Sequence, residues 1–370
     1  MTGVTSPGKT HPLPSCVAVT GAGGFIGGRI AELLTYQRGV DEVRKFSRRS
    51  EPKRHIQYIQ LDNGSDVQRA LIGCGAVVHC AFNMYDMESN IRIANVLGRA
   101  CAAAGIRLVH ISTAAVYEPL PDGYLNEQSP VQRTNPYSAT KAAIEELLLG
   151  FSGSLGLDVI ILQPTVVYGP SGRAWTDSPV RELLFGSVVL PNEGKGFCNA
   201  VFVDDVAQAA INAIKTDIPA GERLLISGAA PVEWGEFFQR YAKMIGRCDL
   251  VLHAKSAAVG NNGDAKPRLV IRDRVIDRIK ALLIGRLSGN IRGRLNMGFR
   301  RLRSAMGKNT AELPTGTTFA LYSSRCHIQI DKARSLLGYS PEFDLYRGMA
   351  ITEGYVRRKY SKQIASRDRA

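Results

Sequence analysis

The chain has 370 residues, 45% hydrophobic and 22% charged, an ordinary globular composition with room for one large domain and a smaller one. No run of about 18 apolar residues offers a membrane span, the N-terminus lacks the apolar run of a signal peptide, and the seven scattered cysteines give no metal-site spacing. The net charge of +14 is uneven: residues 266–308 hold 13 Lys and Arg against Asp273 and Asp277, which leaves the remainder close to neutral.

Cys16-Val-Ala-Val-Thr20 is a short β-branched run that ends directly in Gly21-Ala-Gly-Gly24-Phe-Ile-Gly27, and a helical pattern follows from Ile30 to Tyr36. Strand, glycine-rich turn and helix is the setting in which a backbone can approach a pyrophosphate. The phosphates then sit on the helix N-terminus, where unpaired N–H groups favour anions. A second strand, Glu42 to Phe46, ends in Ser47-Arg48-Arg49. About twenty residues after the glycines an acidic side chain would bind the ribose 2′-hydroxyl of NAD. None is found there, and Arg48 and Arg49 suit a 2′-phosphate, so the sequence favours NADP over NAD.

Further strands are expected at Ile56–Leu61, Ala76–His79 and Arg107–Ile111, with helices around 66–72 and 88–104. This alternation predicts an α/β fold with a doubly wound parallel sheet and ligands at the C-terminal strand ends. Asp62, Cys80-Ala81 and Ser112-Thr113 fall at those ends. Asn135-Pro136 then punctuates the chain, and Tyr137 opens a helix that runs through Lys141, Glu145 and Glu146. Residues four apart share a helical face. An ammonium beside a phenol favours phenolate, which would lower the Tyr137 pKa toward working pH, and it can also hold a cofactor ribose. The expected roles are Tyr137 as acid/base, Lys141 as its electrostatic partner and Thr113 as donor to the substrate oxygen. Alone, the Tyr–Lys pair would read as an ordinary helix face. The glycine turn 116 residues earlier gives it meaning.

These motifs resemble the extended short-chain dehydrogenases/reductases of the NAD-dependent epimerase/dehydratase group. The matching segments are Thr20–Gly27, Leu61-Asp62, Val77–Ala81, Asn95–Gly98, Ile111–Tyr117, Tyr137–Lys141, Gln163–Pro170, Phe202–Val206 and Asp331–Pro341. The resemblance implies a Rossmann-type fold with a smaller C-terminal substrate domain. It implies that Asp62 contacts adenine and that Pro164 and Val167 line the nicotinamide end. Gly21, Gly24, Phe25, Ile26, Gly27, Arg48, Ala81, Tyr137 and Lys141 complete the expected cofactor set. Expected boundaries are a lead-in at 1–15, a dinucleotide-binding domain at 16–170 with 200–227 returning to it, and a tail at 356–370. The substrate domain takes 171–199 and 228–355, including a basic helical insertion at about 255–312. Chemistry in this group begins with hydride transfer at a secondary alcohol.

Two departures narrow the substrate class. Sugar-nucleotide 4,6-dehydratases resemble Ser-Thr-Asp-Glu-Val-Tyr where this chain has Ser112-Thr113-Ala114-Ala115-Val116-Tyr117. Two methyl groups exchange no protons, so that route to dehydration is disfavoured, as is decarboxylation through the missing glutamate. Many sugar-nucleotide enzymes carry Arg-x-x-Asn where this chain has Gln163 and Val166. The expected activity is that of an epimerase or keto-sugar reductase acting on a nucleotide- or lipid-linked sugar in cell-envelope polysaccharide synthesis. The alternatives are a hydroxysteroid-dehydrogenase-like or flavonoid-reductase-like ketone reductase, or a cofactor-sensing scaffold without activity.

Residues 267–306 place an apolar side chain every fourth position from Ile271 to Phe299, with arginines between them and a break at Ser288-Gly289-Asn290. Two basic amphipathic helices are expected there. They fit either a solvated insertion or contact with an anionic membrane surface. The expected location is cytoplasmic, with membrane association at the inner face. The expected partners are a sugar-based small molecule and a second copy of the chain as a homodimer, with no nucleic acid and no metal.

Overall fold

The computed structural model describes residues 8–47, 51–254 and 313–365. Arg48, Arg49 and the basic segment 267–306 lie outside the described residues. Two compact units emerge. The first gathers the described residues of Met1–Arg173, Asn199–Pro231 and Arg325–Gly348, and the second those of Ala174–Cys198, Val232–Ser324 and Met349–Ala370.

The first unit is built on β1 (Cys16–Thr20), α1 (Phe25–Leu34), β2 (Glu42–Ser47), β3 (Ile56–Tyr58), α2 (Gly64–Leu71) and β4 (Ala76–His79). It continues with α3 (Met87–Ala104), β5 (Arg107–Ile111), α4 (Pro136–Leu155), β6 (Val159–Pro164), α5 (Val203–Lys215) and β7 (Glu222–Ile226). The seven strands form one sheet in the order β7-β6-β5-β4-β1-β2-β3, and every ladder is parallel. β1, β4 and β6 are buried along their whole length, as expected of β-branched runs covered on both faces. The chain runs outward through β2 and β3, then returns to start β4 on the other side of β1. This reversal opens a crevice at the C-terminal ends of β1 and β4.

The helices start where their caps dictate. Asn63 accepts from the backbone N–H of Ser65 and Asp66 at the head of α2, and Asp86 accepts from that of Ser89 at the head of α3. Asn135 and Ser138 form a reciprocal capping box ahead of α4, with Pro136 in its first turn. α3 and α4 bury Ala94, Leu97, Ile144 and Leu148 in one core with Val77, Leu108 and Ile161 of the sheet. A Cβ on Gly98 would lie 2.9 Å from Leu148 Cδ2 and 3.0 Å from Phe151 Cδ2, so this glycine lets α3 approach α4 closely.

Several expectations are corrected. α1 begins at Phe25 and not at Ile30, because Gly24 is its N-cap and the helix rises straight out of the turn. β3 ends at Tyr58 and not at Leu61. It is the last strand in the sheet, with β2 on one side and a single antiparallel bridge from Ile56 to Glu51. Residues 325–348, expected with the substrate segments, group with the first unit. There Cys326–Ile328 pairs in parallel with Gly123–Leu125, and the buried Asp205 carboxylate accepts from the N–H groups of Glu342 and Phe343. A helix, Leu345–Ala365, occupies most of the expected tail.

In the second unit Trp234 centres an aromatic cluster with Tyr322 at 4.6 Å and Phe237 at 5.6 Å. Asp177 accepts from Tyr355 Oη and Tyr360 Oη at 3.0 Å and from Lys359 Nζ at 2.7 Å, which ties the end of the expected tail into this unit. Among the described residues no helix is long and apolar enough to cross a membrane.

Candidate active site

The glycine turn leaves β1 with Gly21 in the left-handed region, at φ 69°. A Cβ there would lie 2.7 Å from Ala81 N and 2.8 Å from Cys80 C, so the turn rests on the end of β4 with no room for a side chain. A Cβ on Gly27 would lie 2.6 Å from Gly21 O, which keeps α1 tight against the turn. Gly24 is exposed and no side chain caps the helix it starts. The first N–H groups of this ten-residue helix therefore have no side chain competing for them, while Phe25 and Ile26 are half-buried around them. This donor set fits the pyrophosphate of a dinucleotide, held by Gly21, Gly24 and Gly27 with Ala81 across the crevice.

The acidic residue that the spacing did not reveal is Glu51. Its Oε1 lies 3.1 Å from where a Cβ on Gly23 would stand, and Ser47 Oγ lies 3.2 Å from the same point. Glu51 also pairs with Arg54 Nη1 at 3.1 Å. A carboxylate therefore does approach the turn, from four residues beyond the end of β2. Asp62 is exposed in the turn after β3, Pro164 ends β6 in a buried position, and Val167 is buried and pairs with Val201.

Thr113, Tyr137 and Lys141 converge between β5 and α4. The Thr113 hydroxyl accepts from Ala115 N at 3.1 Å and stands near enough to the Tyr137 phenol to favour its ionised form. The Tyr137 ring stands edge-on to Phe82, 5.3 Å between centroids, just beyond Ala81. Lys141 Nζ donates to the Ile111 carbonyl at 2.8 Å and lies 4.6 Å from the centre of the same Phe82 ring. Phe82, which sequence reading passed over, is the shared wall of the site.

The electrostatics correct the expected phenolate. Burial pushes the Tyr137 phenol above its ordinary value; the Thr113 hydroxyl opposes this and the nearby Glu118 carboxyl adds to it. The Lys141 ammonium bonds the strand-end carbonyl, so the resting tyrosine is a protonated acid. Burial also lowers Lys141 to about 8, against the opposing influence of Cys80 and Glu145. The Glu118 carboxyl is itself pushed up by burial.

Beneath the site lie two neutral histidines paired across β4 and β5, His79 and His110. His79 Nδ1 is 2.7 Å from Thr20 Oγ1, whereas neither ring nitrogen of His110 has a hydrogen-bond partner. Burial, followed by Lys141, lowers His79 to about 3 and holds His110 well below its ordinary value. A depressed folded pKa means that the unfolded chain binds protons first. Stability is thus full above the unfolded value of about 6.5 and is lost as pH falls toward 3, by roughly 1.4 kcal/mol per pH unit for each fully titrating group. Urea midpoints should fall between about pH 7 and 5. His110→Leu should flatten that slope and raise the midpoint, because it removes an unsatisfied buried polar ring. A slope unchanged in the variant would refute this account.

Residues 17–227 match the family model described as NAD dependent epimerase/dehydratase family. Over 215 residues the chain is 27% identical to 3beta-hydroxysteroid-dehydrogenase/decarboxylase isoform 2 of Arabidopsis thaliana, covering 52% of this chain and 38% of the relative. Over 229 residues it is 30% identical to a trifunctional UDP-glucose 4,6-dehydratase/UDP-4-keto-6-deoxy-D-glucose 3,5-epimerase/UDP-4-keto-L-rhamnose-reductase of the same plant, covering 53% of this chain and 34% of the relative. The chain thus spans little more than a third of the length of either relative. In fold it is similar to UDP-glucuronic acid 4-epimerase from Bacillus cereus, solved with UDP-glucuronic acid and NAD. The TM-score is 0.65 at 19% identity, over 93% of this chain and 100% of the other.

Proposed function

The chain belongs to the NAD-dependent epimerase/dehydratase family, of the extended short-chain dehydrogenase/reductase type, and we propose that it epimerises or reduces a secondary-alcohol carbon of a nucleotide-linked sugar. The observation that carries this reading is the convergence of Tyr137 and Lys141 on the Phe82 ring, with Lys141 Nζ held at the strand end by Ile111 O next to Thr113. A bound nicotinamide supplies the acceptor and donor of hydride. Tyr137 gives a proton to the substrate oxygen when that oxygen is a carbonyl and takes it back when it is an alcohol. Thr113, at the strand end near the phenol, holds the same oxygen, and the Lys141 ammonium supports charge as it develops there. Ala114 and Ala115 leave those two positions without a proton-exchanging group, which favours epimerisation or reduction over dehydration.

Gln163 refines the substrate argument. It is fully buried and committed to Tyr117 and Glu145, so it is withdrawn from substrate recognition. The likeness to a hydroxysteroid dehydrogenase/decarboxylase supports a second reading, a sterol-type alcohol or ketone as substrate. We take the sugar first, with a homodimer as the working assembly and cell-envelope polysaccharide as the destination of the product.

For the cofactor, the carboxylate of Glu51 beside the turn supports NAD, while Arg48 and Arg49 support NADP by their charge. If the arginines govern, Arg48→Ala weakens NADP(H) by about tenfold or more and NAD(H) by little. Equal losses for both, measured by isothermal titration, would refute that role and leave Glu51 as the selector. The function itself is tested by identifying nicotinamide retained by the purified protein and then screening nucleotide-sugars. Retained cofactor without net redox change marks an epimerase, and stoichiometric consumption marks a reductase. Tight cofactor binding with no turnover of any sugar or sterol would favour the scaffold.

A further inference from the structure

One buried carboxylate in the first unit has no place in the proton transfers above. Glu145 sits on α4 one turn beyond Lys141 and is 1% exposed. Two of the three strand segments behind it send it a hydrogen bond, and the third sends it a guanidinium. The Ser112 hydroxyl donates to Oε1, Gln163 Nε2 lies 3.0 Å from both carboxylate oxygens, and Arg223 Nε lies 3.1 Å from Oε2 as an ion pair. Gln163 Oε1 in turn accepts from Tyr117 Oη at 3.0 Å. Thus the carboxylate joins the ends of β5 and β6, the start of β7 and the turn that follows Thr113. The guanidinium that Gln163 does not provide arrives from Arg223 on the neighbouring strand.

We propose that Glu145 is a positioning residue for the tyrosine–lysine centre, clamping the end of β5 so that Thr113 and the Lys141 ammonium keep their places against Tyr137. The proposal rests on the reading of that centre given above. Ser112 lies between Ile111, whose carbonyl takes Lys141 Nζ, and Thr113, whose hydroxyl meets the phenol. A carboxylate holding Ser112 therefore fixes both neighbours at once. Two hydrogen-bond donors and a guanidinium around one buried carboxylate form a network that is costly to leave half satisfied, and that cost holds its members in a single arrangement. Glu145 has a second effect through its charge. The titratable groups near Lys141 are Tyr137 and Glu145 on its own helix, His79 and Cys80 at the end of β4, and His110 on β5. Among them Glu145 and Cys80 favour the ammonium. Burial raises the Glu145 carboxyl, and Ser112, Gln163, Arg223 and Lys141 oppose that rise.

The test compares wild type, Glu145→Gln, Ser112→Ala and the double variant in the full chain. Glu145→Gln should lower kcat at least about tenfold with sugar KM within about threefold, because the defect is one of alignment. The basic limb of its pH profile should move below the wild-type position, since Lys141 loses a supporting negative charge. Ser112→Ala should lower kcat in the same direction, and the double variant should be no worse than Glu145→Gln alone, because both act through one contact. A merely structural role would lower the melting temperature and leave the pH limb where it was. Should Glu145→Gln fail to fold, Ser112→Ala with a wild-type kcat overturns the proposal by itself.

NAD binding, followed by protein fluorescence between about pH 6 and 10, reads the Lys141 charge without any turnover. A wrong choice of sugar therefore leaves this arm intact. An unchanged binding midpoint in Glu145→Gln overturns the proposal, whereas a wild-type chain that binds neither NAD nor NADP overturns the reading on which it rests.

Discussion

Tyr137→Phe is expected to lower turnover by about a hundred- to ten-thousand-fold, the range that a positioned acid/base group contributes. Dinucleotide affinity should stay within about threefold of wild type. The substitution is a clean probe because of how the ring is held. Its edge-on contact with Phe82, 5.3 Å between centroids, involves only ring carbons and survives in phenylalanine. Only the hydroxyl is removed. Because the same phenol gives the proton in reduction and takes it back in oxidation, kcat/KM should fall by the same factor in both directions. Steady-state rates in both directions check this, with melting temperature as the control for folding. A variant with wild-type turnover would remove Tyr137 from the chemistry.

Gly21→Ala is the second large effect. At φ 69° an alanine pays about 1–2 kcal/mol of backbone strain. Its Cβ would also meet backbone atoms, Ala81 N at 2.7 Å and Cys80 C at 2.8 Å, and neither can turn aside as a flexible side chain would. Either the turn lifts off β4 or the end of β4 moves, and both wall the crevice. Dinucleotide affinity should fall about a hundredfold or more, equivalent to roughly 2.7 kcal/mol, with a melting temperature several degrees lower. Gly150→Ala is the matched control. It lies within α4 with nothing within 4 Å of its would-be Cβ, so it should be neutral or stabilising by up to about 1 kcal/mol without effect on binding. Equal behaviour of the two variants would separate the turn from the cofactor.

What could be read from the sequence was local. The strand-turn-helix of residues 16–34 and the capped start of α4 are encoded within a few residues of where they act, by glycines at close approaches and by Asn135-Pro136 at a helix head. The alternating units fix a parallel order once β1 and β4 are recognised. What escaped depends on side chains that meet across the sheet. Glu51 reaches the glycine turn from beyond β2, so a count of twenty residues passed it by. Lys141 lies one turn from Tyr137, as the spacing requires, yet its ammonium is taken by Ile111 O, and burial then decides the state of the phenol. Gln163 stood out in the sequence only as a replacement for the arginine of many sugar-nucleotide enzymes. In the fold it is a buried donor to Glu145, and the guanidinium comes from Arg223, sixty residues later. The return of 325–348 to the first unit was hidden for the same reason, since its anchor is the Asp205 carboxylate on α5.

The central claim is that this chain moves a hydride at a secondary alcohol with Tyr137 handling the proton. Its most direct test mixes NAD-loaded wild type and Tyr137→Phe with a panel of nucleotide-sugars and follows the absorbance of reduced nicotinamide in a single turnover. The account predicts that reduced nicotinamide appears in the wild type with at least one sugar and is absent, or slower by orders of magnitude, in the variant. Equal signals in both proteins, or none in a wild type that holds NAD, would contradict it.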